Sequence, residues 1–314
     1  MKPARIVFPR FCFGKSDVTR AEDLAQRGVG GFCVCGGTAE QTLDFTHRMN
    51  QLSPYGRLLF CADIRENLSE AITDVPTLPL NAELSRFDNP QDAAYRKGNL
   101  TARMARAAGI NWVLAPVVDV GYSSPAFSDD PQQVTRLVGD FIAGLSNGGV
   151  LNCVKYFPGV SGVLKTLAQL EDAEFVPYKN IFRRADCIMP SDMIFPNIDN
   201  EQPAALSDKV IKGLLKKRLN YKGCVMGYPL HEMRVRYEEA SAIKMLHAGV
   251  QILLAPKGAE GVIDAVEREV NKGFLADAIT AAISDLEMFC SRVDGGPKPD
   301  TIAKSFELAA QFNK

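Results

Sequence analysis

Eight short apolar runs, each followed by an amphipathic or loop-rich stretch, leave this chain few ways to fold. The runs are "ARIVFP" near Ile6, "VGGFCVCG" near Phe32, "RLLFCAD" near Phe60, "NWVLAPVVDV" near Ala115, "GVLNCVKYF" near Cys153, "DCIMPSDM" near Met189, "GCVMG" near Val225 and "GVQILLA" near Leu253. They are β-branched, aromatic or cysteine-rich and nearly continuous in hydrophobicity, which marks strands buried on both faces of a parallel sheet. The stretches between them, such as "AEQTLDFTHRMNQL" and "DDPQQVTRLVGDFIAGLSNGG", carry helical periodicity. The second opens on Asp129-Asp130-Pro131, a capping signal with proline in the first turn, and closes on Gly148-Gly149. "RYEEASAIKMLHAG" likewise stops on Gly249.

Eight alternating units predict an α/β fold, a (β/α)8 TIM-type barrel forming a single domain over residues 1–314. The barrel occupies about 4–258, and helical patterns over about 259–314 close it. An open doubly wound sheet is the alternative. It fits less well because "GVGG" opens a strand, whereas a dinucleotide fingerprint needs its glycines between strand and helix. The connection from Ile64 to Pro90 has few periodic apolar residues and is expected to lie over the barrel mouth, as long connections with a function do. No internal repeat or low-complexity tract is visible.

Composition narrows the function. With 36 basic against 37 acidic residues, nothing favours a nucleic-acid partner. The Lys216-Lys217-Arg218 cluster reads as a solvated helix face. No stretch reaches the ~18 apolar residues of a membrane span, and the N-terminus lacks the apolar core of a signal peptide, so a soluble cytoplasmic protein is expected. The eight cysteines mostly sit within apolar runs and are expected to act as small buried hydrophobes in a reducing compartment. Cys33 and Cys35 alternate along one strand face as a metal pair would, but no histidine stands near them, and neither metal nor cofactor is expected.

In a barrel, the outgoing ends of the strands carry the chemistry. Here they present Asp63, Asp119, Lys155, Tyr156, Asp192 and Tyr228. Three carboxylates, an amine and two phenols on one rim suit a polyol, so a carbohydrate ligand is expected.

These residues lie inside a set of ordered motifs: "GVGGFCVC", "LPLNAEL", "ARMARAAGINWVLAPVVDV", "VKYFPG", "PAALS" and "LLKKRLNYKGCVM". Together, from about Val29 to Leu254, the chain resembles glycoside hydrolase family 3, in particular its single-domain bacterial β-N-acetylglucosaminidase branch. The resemblance implies the same barrel and sugar binding by Asp63, Asp119 and Lys155, with Tyr156 and Met189 as further expected substrate contacts.

It also locates departures. The family's nucleophilic aspartate, in S/T-D-x-L, aligns with Tyr228, and Gly227 stands at the Ser/Thr. Tyr156 and Val160 replace the histidines of K-H-F-P-G-H-G, and Thr166 and Ala168 stand near the Asp-x-His acid/base pair. Pro125 replaces a sugar-binding arginine, "DIREN" replaces D-x-E-G-G-R, and Asp192 aligns with a histidine. Arg65, Arg86 and Arg236 are equal candidates to replace the missing arginine.

Retaining hydrolysis needs a nucleophile facing an oxocarbenium-like transition state and a second group to protonate the leaving oxygen. The expectation is therefore a sugar- or partner-binding relative without the family's catalytic groups. One alternative is a glycosidase with relocated groups, in which Tyr228, served by His231 or Glu232, or an Asp63/Asp192 pair does the chemistry. The other is a Schiff-base lyase acting through Lys155. Tyr228 and Asp192 are thus the catalytic candidates.

Overall fold

The computed structural model describes residues 2–121, 125–160 and 164–312. Its strands are β1 (Val7–Phe8), β2 (Arg10–Cys12), β3 (Gly31–Cys35), β4 (Leu59–Asp63), β5 (Trp112–Leu114), β6 (Leu151–Phe157), β7 (Cys187–Pro190), β8 (Ile194–Phe195), β9 (Asp199–Pro203), β10 (Cys224–Val225) and β11 (Leu253–Leu254). All eight expected runs form barrel strands, the first in two pieces because Pro9 has no N–H to give to a ladder. β2, β3, β4, β5, β6, β7 and β10 pair in that order, each pair parallel. β1 pairs in parallel with β11, and the bridge Met226↔Ile252 joins the β10 and β11 runs, so the ring closes.

Helices surround the ring: α1 (Val18–Arg27), α2 (Ala39–Leu52), α3 (Pro90–Ala107), α4 (Pro131–Asn147), α5 (Leu167–Asp172), α6 (Phe175–Ile181) and α7 (Glu238–Ala248). As the capping signal predicts, Asp130 accepts the Gln132 N–H at 3.0 Å and Pro131 occupies the first turn of α4. α7 ends on Gly249, whose φ of 109° is a left-handed conformation that glycine adopts without steric cost. α3 and α4 cross closely because both carry glycine at the contact: a Cβ on Gly98 would lie 2.1 Å from the Phe141 carbonyl oxygen, and one on Gly144 equally near that of Tyr95.

The closing helices are α8 (Ala259–Asn271), α9 (Ala276–Asp294) and α10 (Ile302–Phe312). α9 seals the incoming end of the barrel. Phe289 meets Trp112 edge-on at 5.3 Å, Trp112 meets Phe8 at 6.0 Å, and the indole N–H donates to the Asn152 carbonyl at 3.1 Å. The buried aromatic therefore has its polar atom satisfied as well as its rings packed.

At the opposite end, the 64–90 connection crosses the outgoing ends of β3 and β4, bridging Gly37 to Ile72. Buried Lys97 of α3 donates to Asn81 Oδ1 at 2.7 Å, and Asn81 Nδ2 donates to the Pro125 carbonyl at 2.8 Å. This ties the connection to the loop after β5. The antiparallel hairpin β8–β9, which no sequence signal announced, stands on the same face. The Lys216-Lys217-Arg218 cluster is only partly solvated, since Lys216 turns back to the Gly223 carbonyl.

One expectation about the cysteines is corrected. Cys12 and Cys35, register partners at the ends of β2 and β3, form a disulfide with Cα atoms 4.7 Å apart. Cys35 is therefore unavailable for a metal pair with Cys33. The other six cysteines are unpaired and buried, as expected, and among the described residues no group of three or more His, Cys, Asp or Glu side chains could hold a metal ion. Non-reducing peptide mapping should recover a Cys12–Cys35 cross-linked peptide. Cys12→Ser/Cys35→Ser should lower unfolding stability by about 2–4 kcal/mol in a denaturant titration.

Candidate functional site

At the outgoing ends of the strands lies a cavity of about 230 Å³, with Arg65, Asp119, Tyr156, Asp192 and Tyr228 on its wall. Four of the six rim residues predicted from the strand ends therefore meet around one space. The other two, Asp63 and Lys155, form an ion pair beneath it. Lys155 is fully buried, whereas the Asp63 side chain keeps 24% of its accessibility. Burial acts to release the Lys155 proton, but the Asp63 carboxylate outweighs it and holds the ammonium above the ordinary lysine range. A lysine held protonated is a poor Schiff-base nucleophile, which counts against the lyase reading. The pairing also sets Asp63 apart from Asp192, which stands on the cavity wall. Met189 is the register partner of Lys155 in β7 and is fully buried, so it packs behind the cavity wall.

The turn after β6 shapes one side of the cavity. Gly159, at φ 116°, lets the chain reverse, and a Cβ there would lie 2.8 Å from Glu174 Cγ. The reversal brings the Val160 N–H to Asp119 Oδ1 at 2.9 Å. Val160, at a motif histidine position, thus contributes a backbone donor and an apolar side chain. Burial raises the Asp119 carboxyl to about 6, with the Val160 N–H opposing the shift and Glu174 reinforcing it.

Tyr228 follows the β10 strand and stands at its tip, the position that aligns with the family's nucleophile. Its ring lies 5.7 Å from that of Tyr156, and its hydroxyl donates to Glu232 Oε2 at 3.3 Å. Burial, then the charges of Asp192 and Glu232, push its phenol above the ordinary tyrosine range. On the other side of Glu232, His231 Nε2 lies 3.5 Å from Oε1. Gly227 is hemmed in, since a Cβ would lie 2.9 Å from Met245 Sδ and 3.3 Å from the Ile252 carbonyl oxygen.

The positions near the acid/base pair have a structural use. Thr166 caps α5, accepting the Gln169 N–H at 3.3 Å while Gln169 Oε1 accepts the Thr166 N–H at 2.8 Å. Ala168 lies within that helix. Residues 161–163 of the same loop lie outside the described residues. Of the three candidate arginines, Arg65 is on the cavity wall, whereas Arg236 is drawn over the Tyr237 ring at 5.2 Å. Sequence did not rank Arg65 above the others, because its loop has no periodicity to orient it.

The glycosyl hydrolase family 3 N-terminal domain matches residues 3–285. The chain belongs to that family. It is 26% identical over 263 residues to a β-hexosaminidase of Nitrosospira multiformis, covering 74% of this chain and 72% of the relative. It is 30% identical over 210 residues to a β-hexosaminidase of Stenotrophomonas maltophilia, covering 59% and 62%. The alignment with the second therefore spans less than two thirds of that relative. Among solved structures, a family 3 β-N-acetylglucosaminidase from Paenibacillus sp. superposes with a TM-score of 0.86 at 24% identity, over 99% of this chain and 67% of the other. Native NagZ from Neisseria gonorrhoeae gives 0.78 at 21% identity, over 99% and 98%. These structural likenesses carry the barrel fold.

The Asp119 shift has a definite sign. Its carboxyl binds its proton more tightly folded than unfolded, so the chain loses stability as pH rises from about 4 to about 6. Asp119→Asn keeps an oxygen for the Val160 N–H and removes the buried charge. It should gain about 1–2 kcal/mol above pH 6 and show no gain near pH 3.5 when urea midpoints are compared.

Proposed function

We propose that this family 3 barrel binds a carbohydrate at its mouth without running the family's hydrolytic mechanism. The observation that carries the reading is Tyr228 at the tip of the seventh barrel strand: a neutral phenol bonded to Glu232 where the mechanism requires an anion. The capping role of Thr166 supports it, because the loop near the acid/base position is wound into α5. What remains on the wall suits sugar hydroxyls. Arg65 donates, Asp192 accepts, Asp119 exchanges roles with pH, and the tyrosine rings offer flat apolar surface.

A second reading rests on the 3.3 Å contact between Tyr228 and Glu232. Tyrosine serves as nucleophile in some glycosidases, and a carboxylate receiving its proton is what that chemistry needs. The same acids that accept the proton also repel a phenolate, so attack would have to be concerted with transfer to Glu232.

Calorimetry with N-acetylglucosamine and related hexosamines, together with a nitrophenyl glycoside panel at high protein concentration, separates the two. The expected result is millimolar sugar binding, weakened at least tenfold by Arg65→Ala or Asp192→Ala, with no turnover by the natural chain or by Tyr228→Asp. Turnover by the natural chain that Tyr228→Phe abolishes would establish the second reading. Absence of both binding and turnover would remove both.

A further inference from the structure

A larger cavity, about 510 Å³, opens on the same face between the first and last barrel strands. Its wall is cationic, with Arg10 from β2, Lys15 after it, Arg20 from α1 and Lys257 from the loop after β11. Arg20 is already committed, its guanidinium holding Glu260 through two 2.6 Å contacts. Asp17, the one acid on the wall, is occupied in capping α1, accepting the Thr19 N–H at 2.9 Å. Arg10, Lys15 and Lys257 have no carboxylate partner among the described residues. On a chain with formal net charge −1, three uncompensated cations around one concavity stand out.

The inner wall adds His231. The Ala255 carbonyl faces its imidazole, and Glu232 Oε1 lies 3.5 Å from Nε2. Burial, and then Arg10, depress the imidazole below its ordinary range. α1 and α8 both begin at the rim, adding the positive ends of two helix dipoles. The α8 terminus already holds Glu238, whose Oε2 accepts the Lys257 and Gly258 N–H groups at 2.9 and 3.0 Å. The side chains are therefore what an incoming ligand would meet. In barrels of this kind the loops after the seventh and eighth strands frequently form a phosphate site, and His231 and Lys257 stand on those two loops.

We infer that this cleft is an anion site that takes a phosphate group, free or as a monoester, separate from the carbohydrate cavity. The wall between the two is the chain His231–Glu232–Tyr228. The site does not depend on whether the mouth cavity binds or turns over sugar.

The test titrates the full chain with inorganic phosphate by calorimetry at constant ionic strength, with chloride as the reference anion. Saturable one-to-one binding that chloride does not reproduce is expected, weakened at least tenfold in Arg10→Gln/Lys257→Gln. Arg65→Gln removes a cation from the neighbouring cavity and should leave the affinity unchanged. Thermal unfolding without ligand confirms that each variant folds. A hexosamine phosphate binding more tightly than phosphate would support a monoester ligand, and equal affinity would support the free ion. Binding no stronger than that of chloride, or an equal loss in Arg65→Gln, would overturn the assignment.

Discussion

The mouth of this barrel is organised by one buried ion pair. Lys155 comes from β6 and Asp63 from β4, with β5 between them, so the pair spans two strand intervals beneath the cavity floor. A fully buried ammonium is tolerable only with a counter-charge at hand, and Asp63 is that charge. The pairing therefore fixes the chemistry of both groups. Lys155 stays protonated and oriented, and Asp63 serves as its acceptor first. The cavity above is left with Arg65 against Asp119 and Asp192.

That residual balance is what the proposed binding role rests on. A glycosyl cation needs a negative group on one face of the sugar ring and a proton donor at the leaving oxygen. Asp119 has a carboxyl near enough to neutrality to donate, but the seventh strand tip offers a phenol whose ionisation burial, and then its acidic neighbours, oppose. For a polyol in its ground state the same wall is well matched, since each hydroxyl can both donate and accept.

Much of this was legible in the sequence, and the parts that were not share a physical cause. Strands buried on both faces declare themselves by composition, so all eight were found, and the polar residue closing each run marked the rim. Pairwise relations were hidden because they depend on register and rotamer. The Cys12–Cys35 disulfide requires knowing that β2 and β3 are neighbours with those residues opposite. The inward burial of Met189 depends on the same pleat, and the choice of Arg65 depends on the path of a loop. The Thr166 cap is different: Thr-x-x-Gln ahead of an apolar run is a capping box, and it could have been recognised.

The departures from the family pattern are bound into local structure one by one. Gly227 is held small by Met245 and the Ile252 carbonyl, the Pro125 carbonyl anchors Asn81, and Thr166 starts a helix. Of these, Gly227 is the position where the family's larger residue would collide, since a Cβ there meets Met245 Sδ at 2.9 Å. An aspartate at position 228 alone would meet Asp192 and Glu232, the charges that already oppose ionisation there. Like charges in so confined a space raise one another's pKa. The new carboxylate would therefore tend to stay protonated, which is the state a nucleophile cannot use. The surroundings of Tyr228, and not its identity alone, set what this strand tip can do.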